Sequence, residues 1–371
     1  MRFIDIQQQY QSYKTEIDEA IARVLEKGNF ILGEEVAELE EKLAAFVGVK
    51  HCLTVSSGTD SLLIALMALG IGPGDEVITT PFTFFATAEV IALIGAKPVF
   101  VDIEPNTYNI DIDQIESAIT PRTKAIMPVS LFGQMPNYTR INAIAAKYNL
   151  PVIEDGAQSF GATQNGKRSC GVTTIGSTSF FPAKPFGCYG DGGALFTDDA
   201  ELADKMRYIR THGSQKRDYH PVIGINGRCD TLQAAIMLAK LPFFPQEIEA
   251  RQKVASAYSE RLKEYCTVPF VAQGNTSVYS PYTIRTPNRD QWMKTFSEKD
   301  IPVGVYYSKC VYEQPAFSYL GISKGSFAQA DFACSEVLSL PLHPWISEEE
   351  IDRVVLAVKE AYLGNTVGVT K

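Results

Sequence analysis

Apolar positions recur at three- and four-residue spacing over residues 16–27 and 34–46, which predicts two amphipathic helices. From about residue 50 the pattern changes to short apolar runs separated by helical stretches. Residues 49–55 read as a strand and 61–69 as a helix, and Gly72-Pro73-Gly74-Asp75 reads as a turn before a strand over 76–79. Further helices are expected over 86–94, 112–119 and 139–148, with extended segments over 98–101, 124–129 and 152–153. Strands separated by helices of this length require crossover connections, which favour a parallel sheet covered on both faces. Helical spacing returns over 200–210, 230–241 and 247–265, the last long enough to link two domains. Beyond residue 266 strands and helices mix at higher polarity. The pattern therefore predicts an α/β chain with a mostly parallel central sheet flanked by helices. Residues 1–245 would form the large domain with an N-terminal arm, and 246–371 a linking helix and a smaller C-terminal α+β domain.

Composition narrows the function classes. Apolar residues make up 45% of the 371 and charged residues 21%, an ordinary balance for a globular enzyme. No apolar run approaches the length of a membrane span, and Met1-Arg2-Phe3-Ile4-Asp5 does not read as a signal peptide, so a cytoplasmic protein without membrane contact is expected. The seven cysteines form no Cys-x-x-Cys pair and read as free thiols. Histidines at 51, 212, 220 and 343 have no metal-ligand spacing, so no metal is expected. A net charge of −9 argues against nucleic-acid binding while leaving room for a small anionic substrate. Lys167-Arg168 and Lys216-Arg217 are local positive spots or simply solvated charge.

Ligands of such sheets sit beyond the carboxyl ends of the strands. Four segments should meet there, and each has a plain structural reading beside the chemical one. Ser56-Ser57-Gly58-Thr59-Asp60-Ser61 offers a close-approach glycine, a hydroxyl and a helix start, suited to a phosphate or simply to capping a helix. Pro151-Val152-Ile153-Glu154-Asp155-Gly156-Ala157-Gln158 runs a buried strand into two acids and an amide. Such an acid can be catalytic, ligate a metal, face a cationic ring nitrogen, or merely bond backbone amides. Lys184 lies in Thr178-Ser179-Phe180-Phe181-Pro182-Ala183-Lys184-Pro185-Phe186-Gly187, three residues past an apolar strand and between two prolines that fix a turn. Aromatic neighbours disfavour its charged form, which suits a Schiff-base amine; a solvated loop lysine is the alternative. Gly187-Cys188-Tyr189-Gly190-Asp191-Gly192-Gly193 then returns backbone towards it. Finally, Gly224-Ile225-Asn226-Gly227-Arg228-Cys229-Asp230 places an amide and a guanidinium two apart, for a phosphate and a carboxylate or as a helix-capping loop.

The order of these parts is more informative than any one. A phosphate loop, an aromatic after Thr83, Asp155 and then Lys184 resembles the sugar aminotransferases of the DegT/StrS group, which are fold-type I pyridoxal-phosphate (PLP) enzymes. The resemblance runs from Phe3-Ile4-Asp5-Ile6 through Gly58-Thr59, Pro81-Phe82-Thr83-Phe84-Phe85-Ala86-Thr87-Ala88 and Glu154-Asp155-Gly156-Ala157-Gln158-Ser159-Phe160-Gly161-Ala162. It continues through the Lys184 loop and Asn226-Gly227-Arg228 to Leu340-Pro341-Leu342-His343-Pro344. It implies PLP as cofactor and Lys184 as its Schiff-base residue and proton carrier. Asp155 would pair with the ring nitrogen, Phe84 stack on the ring and Gln158 bond near its phenolic oxygen. Gly58, Thr59 and Ser179 would hold the phosphate, with Asn226 reaching it from the neighbouring subunit of an obligate homodimer. Some relatives carry histidine in place of the lysine and dehydrate their substrate; Lys184 points to transamination.

The Lys184 loop looks most like that of enzymes aminating the 3-keto position of UDP-N-acetylglucosaminuronic acid, for diaminouronic acid in bacterial surface polysaccharide such as O-antigen. The resemblance implies glutamate as donor. Gly28 and Phe30 would line the nucleotide-sugar site, Arg228 would meet the uronate carboxylate, and Tyr306-Tyr307 stand where these relatives carry a His-Tyr pair. The alternatives are a C4 aminotransferase of a UDP- or dTDP-4-keto-6-deoxy sugar and, from another class, a regulatory module that binds PLP or a nucleotide sugar without turnover.

Overall fold

The computed structural model describes residues 1–367. Its strands are β1 (His51–Val55), β2 (Glu76–Thr79), β3 (Lys97–Phe100), β4 (Thr123–Ile126), β5 (Ile153–Asp155), β6 (Thr163–Gln164), β7 (Lys167–Arg168), β8 (Ile175–Ser179), β9 (Gly193–Thr197), β10 (Tyr282–Arg285) and β11 (Val337–Leu340). β3, β2 and β4 form one parallel block, and β5, β8, β9 and β1 a second. Parallel bridges from Ile126 to Val152 and from Val129 to Asp155 join the blocks into one sheet ordered β3-β2-β4-β5-β8-β9-β1. Only β9 runs against its neighbours. The expected mostly parallel sheet is therefore present.

Strand alternation explains why both faces carry helices. Leu53 and Val55 of β1 and Leu195 of β9 face a core closed by the helices Gly58–Ala68 and Ala200–Arg210. Cys52, Ala194 and Phe196 point the other way, into a core with the helices Glu34–Val47 and Thr231–Lys240. That second core is aromatic: Phe160 lies within 6.0 Å of Phe180, Phe186, Phe196 and Phe244, centroid to centroid. On the β3 side, Ile78, Val101 and Ile126 meet the helices Ile112–Ala118 and Tyr138–Lys147.

The helix Phe244–Leu262 leaves this body and enters a separate core of Tyr258, Tyr282, Trp292, Phe296, Leu338 and Val354. Pro245 sits in its first turn, where the missing N–H costs nothing. β10 and β11 pair antiparallel there, so this region is α+β as expected. A further cluster crosses between the regions, setting Phe82, Phe100 and Tyr108 against Val311, Tyr312 and Phe317. We propose a domain boundary at 245–246, in the first turn of that helix.

Most element limits fall within a few residues of those expected. One difference matters: β8 ends at Ser179, so the apolar pair Phe180-Phe181 belongs to the bend and Lys184 lies deeper in the turn than expected. Arg168 is absorbed by packing, its guanidinium 4.0 Å from the Phe46 ring centroid. Among the described residues no helix is long and apolar enough to cross a membrane.

Candidate active site

The parallel strands β1, β2, β5 and β8 all end on one edge of the sheet, and the segments after them open into a cavity of about 780 Å³. That volume suits a cofactor together with part of a substrate. Ser57, Gly58 and Thr59 line it after β1, Thr83 and Phe84 after β2, Asp155 and Gln158 at β5, and Ser179 and Lys184 at β8. Tyr306, Tyr307 and Lys309 from the C-terminal region close the opposite side.

The end of the cavity after β1 is built by the chain's local rules. Ser57 caps the helix Gly58–Ala68 by accepting a hydrogen bond from Asp60 N–H at 3.0 Å. The helix N-terminus and the Thr59 and Ser179 hydroxyls are left at the cavity. Gly58 is required by space: a Cβ there would lie 2.5 Å from the Ser179 Cβ. Capping of the helix thus leaves its start open to the cavity, with room for a phosphate.

β5 separates the two acids. Successive strand residues face opposite sides, so Asp155 faces the cavity while Glu154 turns into the protein. Glu154 accepts hydrogen bonds from the hydroxyls of Ser130 (2.8 Å) and Ser169 (2.7 Å) and from Cys170 N–H (2.8 Å). Burial nevertheless pushes its pKa up to about 7. Asp155 accepts from the Thr87 hydroxyl at 2.8 Å and from Ala157 N–H at 3.2 Å. Burial raises its pKa too, opposed by Thr87, by Ala157 and by the charge of Lys184.

Lys184 is half-buried, since part of it faces the cavity, but the protein around its amine still lowers its pKa; the carboxylate of Asp155 works against that shift. Its backbone N–H donates to the Phe181 carbonyl at 2.8 Å, which fixes the turn between the two prolines. Gln158 is held at both ends. Its Oε1 accepts from Phe132 N–H at 2.8 Å, and its Nε2 donates to the Tyr307 hydroxyl at 3.1 Å. Tyr307 is kept protonated by burial and by the negative charge of Asp155. Phe84 is 58% exposed, an apolar face presented to the cavity.

Four expected site residues lie elsewhere. Asn226 and Arg228 follow the same edge, with bridges from Asn226 to Thr211 and from Arg228 to Val55, but neither lines the cavity of its own chain. Asn226 is exposed, and the buried Nε of Arg228 has no hydrogen-bond partner. Asp230 stands at the N-cap of the next helix but makes no side-chain capping hydrogen bond. Gly28 adopts a left-handed conformation (φ 69°) at the C-cap of the helix Lys14–Lys27, which accounts for it without a ligand. Phe30 is 45% exposed on the loop that follows.

The structure also brings in residues the pattern did not single out. Thr87 supports Asp155 and bonds the Thr83 hydroxyl at 2.9 Å; the four-residue spacing of these threonines was the available signal. Arg251 lines the cavity from a position remote in sequence, which no local pattern reveals. Cys310, Glu313 and Asp331 bring a sulfur and two carboxylates within 4.8 Å of one another. Their oxygens are already engaged: Glu313 accepts from Cys310 N–H at 3.2 Å, and Asp331 from the Tyr312 hydroxyl at 2.7 Å.

The raised pKa of Glu154 has a measurable consequence. Its folded value of about 7 exceeds the ordinary 4.5, so the folded state binds more protons between those values. The stability this contributes is present below the ordinary value and is lost as pH rises through about 7. In Glu154→Gln the amide oxygen can accept from Cys170 N–H while its NH₂ donates to the two serines. Urea unfolding at pH 5 and pH 8 should show wild type losing roughly 1–3 kcal/mol more than the variant. Equal losses would refute a proton held at Glu154.

The DegT/DnrJ/EryC1/StrS aminotransferase family profile matches residues 11–359. A Pseudomonas aeruginosa protein named UDP-2-acetamido-2-deoxy-3-oxo-D-glucuronate aminotransferase is 51% identical over 96% of this chain and 99% of its own. A DegT DnrJ EryC1 StrS aminotransferase crystal structure from Brucella abortus superposes with TM-score 0.95 at 42% identity, covering 98% of this chain and 99% of that one. NtdA from Bacillus subtilis, solved with bound pyridoxamine phosphate, gives TM-score 0.88 at 33% identity over 95% and 82% of the two chains. Aminotransferases of this kind use PLP, and the hydroxyl-lined helix start, Lys184 and the buried Asp155 fit that cofactor. The fold is that of these enzymes, and the chain belongs to the DegT/DnrJ/EryC1/StrS aminotransferase family.

Proposed function

We propose that this enzyme moves an amino group from glutamate to the 3-keto position of a UDP-linked N-acetyl-hexuronic acid, supplying a diaminouronic acid for bacterial surface polysaccharide. The observation that carries the reading is the desolvated Lys184 sharing one cavity with the buried Asp155 and a hydroxyl-lined helix start. The choice of sugar follows the 51% identical relative and its name.

When bound, PLP supplies an electron sink for the carbon that gains or loses nitrogen. The residues around it have separable tasks. Lys184, its pKa lowered by burial, has a larger neutral fraction near pH 7, so Nζ can act as a nucleophile and move a proton at the substrate carbon. Thr87 fixes the Asp155 carboxylate, which would pair with the cofactor's ring nitrogen and keep it protonated. Gly58, Thr59 and Ser179 would hold its phosphate, Phe84 would pack on its ring, and Gln158 would bond near its phenolic oxygen. Tyr307 receives its hydrogen bond from Gln158, so its own proton is free to point into the cavity, and Tyr306 beside it lines the sugar's entrance.

Asn226, Arg228, Gly28 and Phe30 serve the neighbouring subunit in a homodimer with shared sites. Two observations support this. These residues lie outside their own cavity, and Phe30, Ile31, Leu32 and Ile223 expose apolar surface around them, Ile223 to 85%. Such a patch favours a partner.

Three experiments test the reading. Borohydride reduction of the holoenzyme followed by peptide mapping places the pyridoxyl group on Lys184; an adduct on any other lysine refutes the assignment. Glutamate alone converts bound PLP to pyridoxamine phosphate, which a passive binder cannot do. The amine form then turns over the UDP-linked 3-keto uronate faster than 4-keto-6-deoxy sugars carrying UDP or dTDP, and the reverse order transfers the assignment to C4 amination. Mixing inactive Lys184→Ala protein with an inactive Asn226→Ala and Arg228→Ala double variant restores part of the activity through hybrid dimers. No recovery, with subunit exchange verified, means that each site lies within one chain.

A further inference from the structure

Arg251 projects from the helix Phe244–Leu262 into the cavity wall and is only 4% exposed. Its Nε has no hydrogen-bond partner, and Glu247, one turn earlier on the same helix, acts on it only through space. Glu247 is otherwise engaged. Gln9 Nε2 donates to both of its oxygens at 3.1 Å, and the Tyr13 hydroxyl and Lys240 also face it. His343, the titratable neighbour from the C-terminal region, is held below its ordinary pKa first by burial, so it is neutral and brings no charge to balance the guanidinium. Asp5 and Glu350 act on His343, and neither pairs with Arg251.

A charge in this position is costly unless something meets it. Lysine or histidine could answer burial by losing a proton, but a guanidinium stays charged near neutral pH. The same cavity is lined in part by the apolar Phe3, Ile4, Leu340 and Leu342. The two carboxylates that line the cavity do not serve: Asp155 is bound by Thr87 and Ala157, and Asp191 forms no ion pair with Arg251. The missing partner is therefore an anion that arrives with a ligand. A planar fork of donors in a dry wall selects a carboxylate, which it can meet with two parallel hydrogen bonds.

We propose that Arg251 is a substrate-binding residue that holds a carboxylate of the bound substrate. The proposal deepens the functional reading above, in which both substrates carry one: the donor glutamate and the sugar uronate. Each occupies the cavity in turn, and one guanidinium can serve either.

The test compares wild-type holoenzyme with Arg251→Met and Arg251→Lys in separate half-reactions. One arm follows glutamate with the PLP form. The other follows the keto uronate, and a keto sugar with a neutral C6 group, with the pyridoxamine form. Arg251→Met should raise KM at least roughly tenfold for the carboxylate-bearing substrate it serves, with Arg251→Lys between the two because it keeps the charge and loses the fork. Loss confined to glutamate assigns the donor carboxylate, and loss confined to the uronate assigns the sugar. A merely structural role predicts something else. Because removing an unpaired buried charge relieves the fold, Arg251→Met should melt at the same temperature as wild type or higher. Where the loss includes glutamate, 2-oxoglutarate should raise the melting temperature of wild type and not of Arg251→Met. That readout needs no keto sugar, so it separates failure of this proposal from failure of the sugar assignment. Unchanged KM in both arms, or a loss on glutamate in a variant that melts lower and still responds to 2-oxoglutarate, overturns the proposal.

Discussion

A carboxylate held away from water at the end of a sheet, with a desolvated lysine across the cavity from it, is the constraint on which this active site depends. Asp155 has one hydroxyl, one amide and the charge of Lys184 to oppose its burial, which still raises its pKa. Each group opposes the shift that burial imposes on the other. Removing either partner leaves the other as an uncompensated charge or forces it neutral. The surrounding fold keeps them in position: β5 and β8 are hydrogen-bonded neighbours, so the acid at the end of one and the turn after the other face the same space.

Much of the aromatic core serves to hold that turn. Phe180 and Phe186 flank Lys184 in sequence and are buried with Phe160, which itself follows Asp155 in the β5 loop. Packing these rings anchors both ends of the lysine turn and the exit from β5 at once. Pro182 and Pro185 restrict what lies between. The amine is thus positioned by apolar burial rather than by polar contacts, which leaves it free for chemistry.

The cavity is completed from the other half of the chain. Tyr307 reaches Gln158, and Arg251 enters from the helix that joins the two regions. The cluster of Phe82 and Tyr108 against Val311 and Tyr312 packs the segment after Tyr307 onto the sheet. The cavity is thus lined by both regions where they meet, whereas Gly58, Asp155, Ser179 and Lys184 all come from the sheet edge.

The order of elements was legible in the sequence because apolar spacing reports which face of a helix or strand is buried, and that depends on neighbours a few residues away. The mostly parallel sheet followed from the same pattern, and so did the gathering of Gly58, Thr59, Asp155, Gln158, Ser179 and Lys184, since loops at the ends of parallel strands meet on one edge; Phe84 was expected there only from the family resemblance. Local pattern could not choose between Glu154 and Asp155, because adjacent strand residues differ only in the face they present. The sheet decided this, by turning Glu154 onto Ser130, Ser169 and Cys170. Nor did sequence show that Phe180 and Phe181 leave the strand or that Arg251 reaches into the cavity without a partner. Those are facts about segments distant in sequence, and only the packing of one region on the other determines which of their charges meet and which remain unpaired.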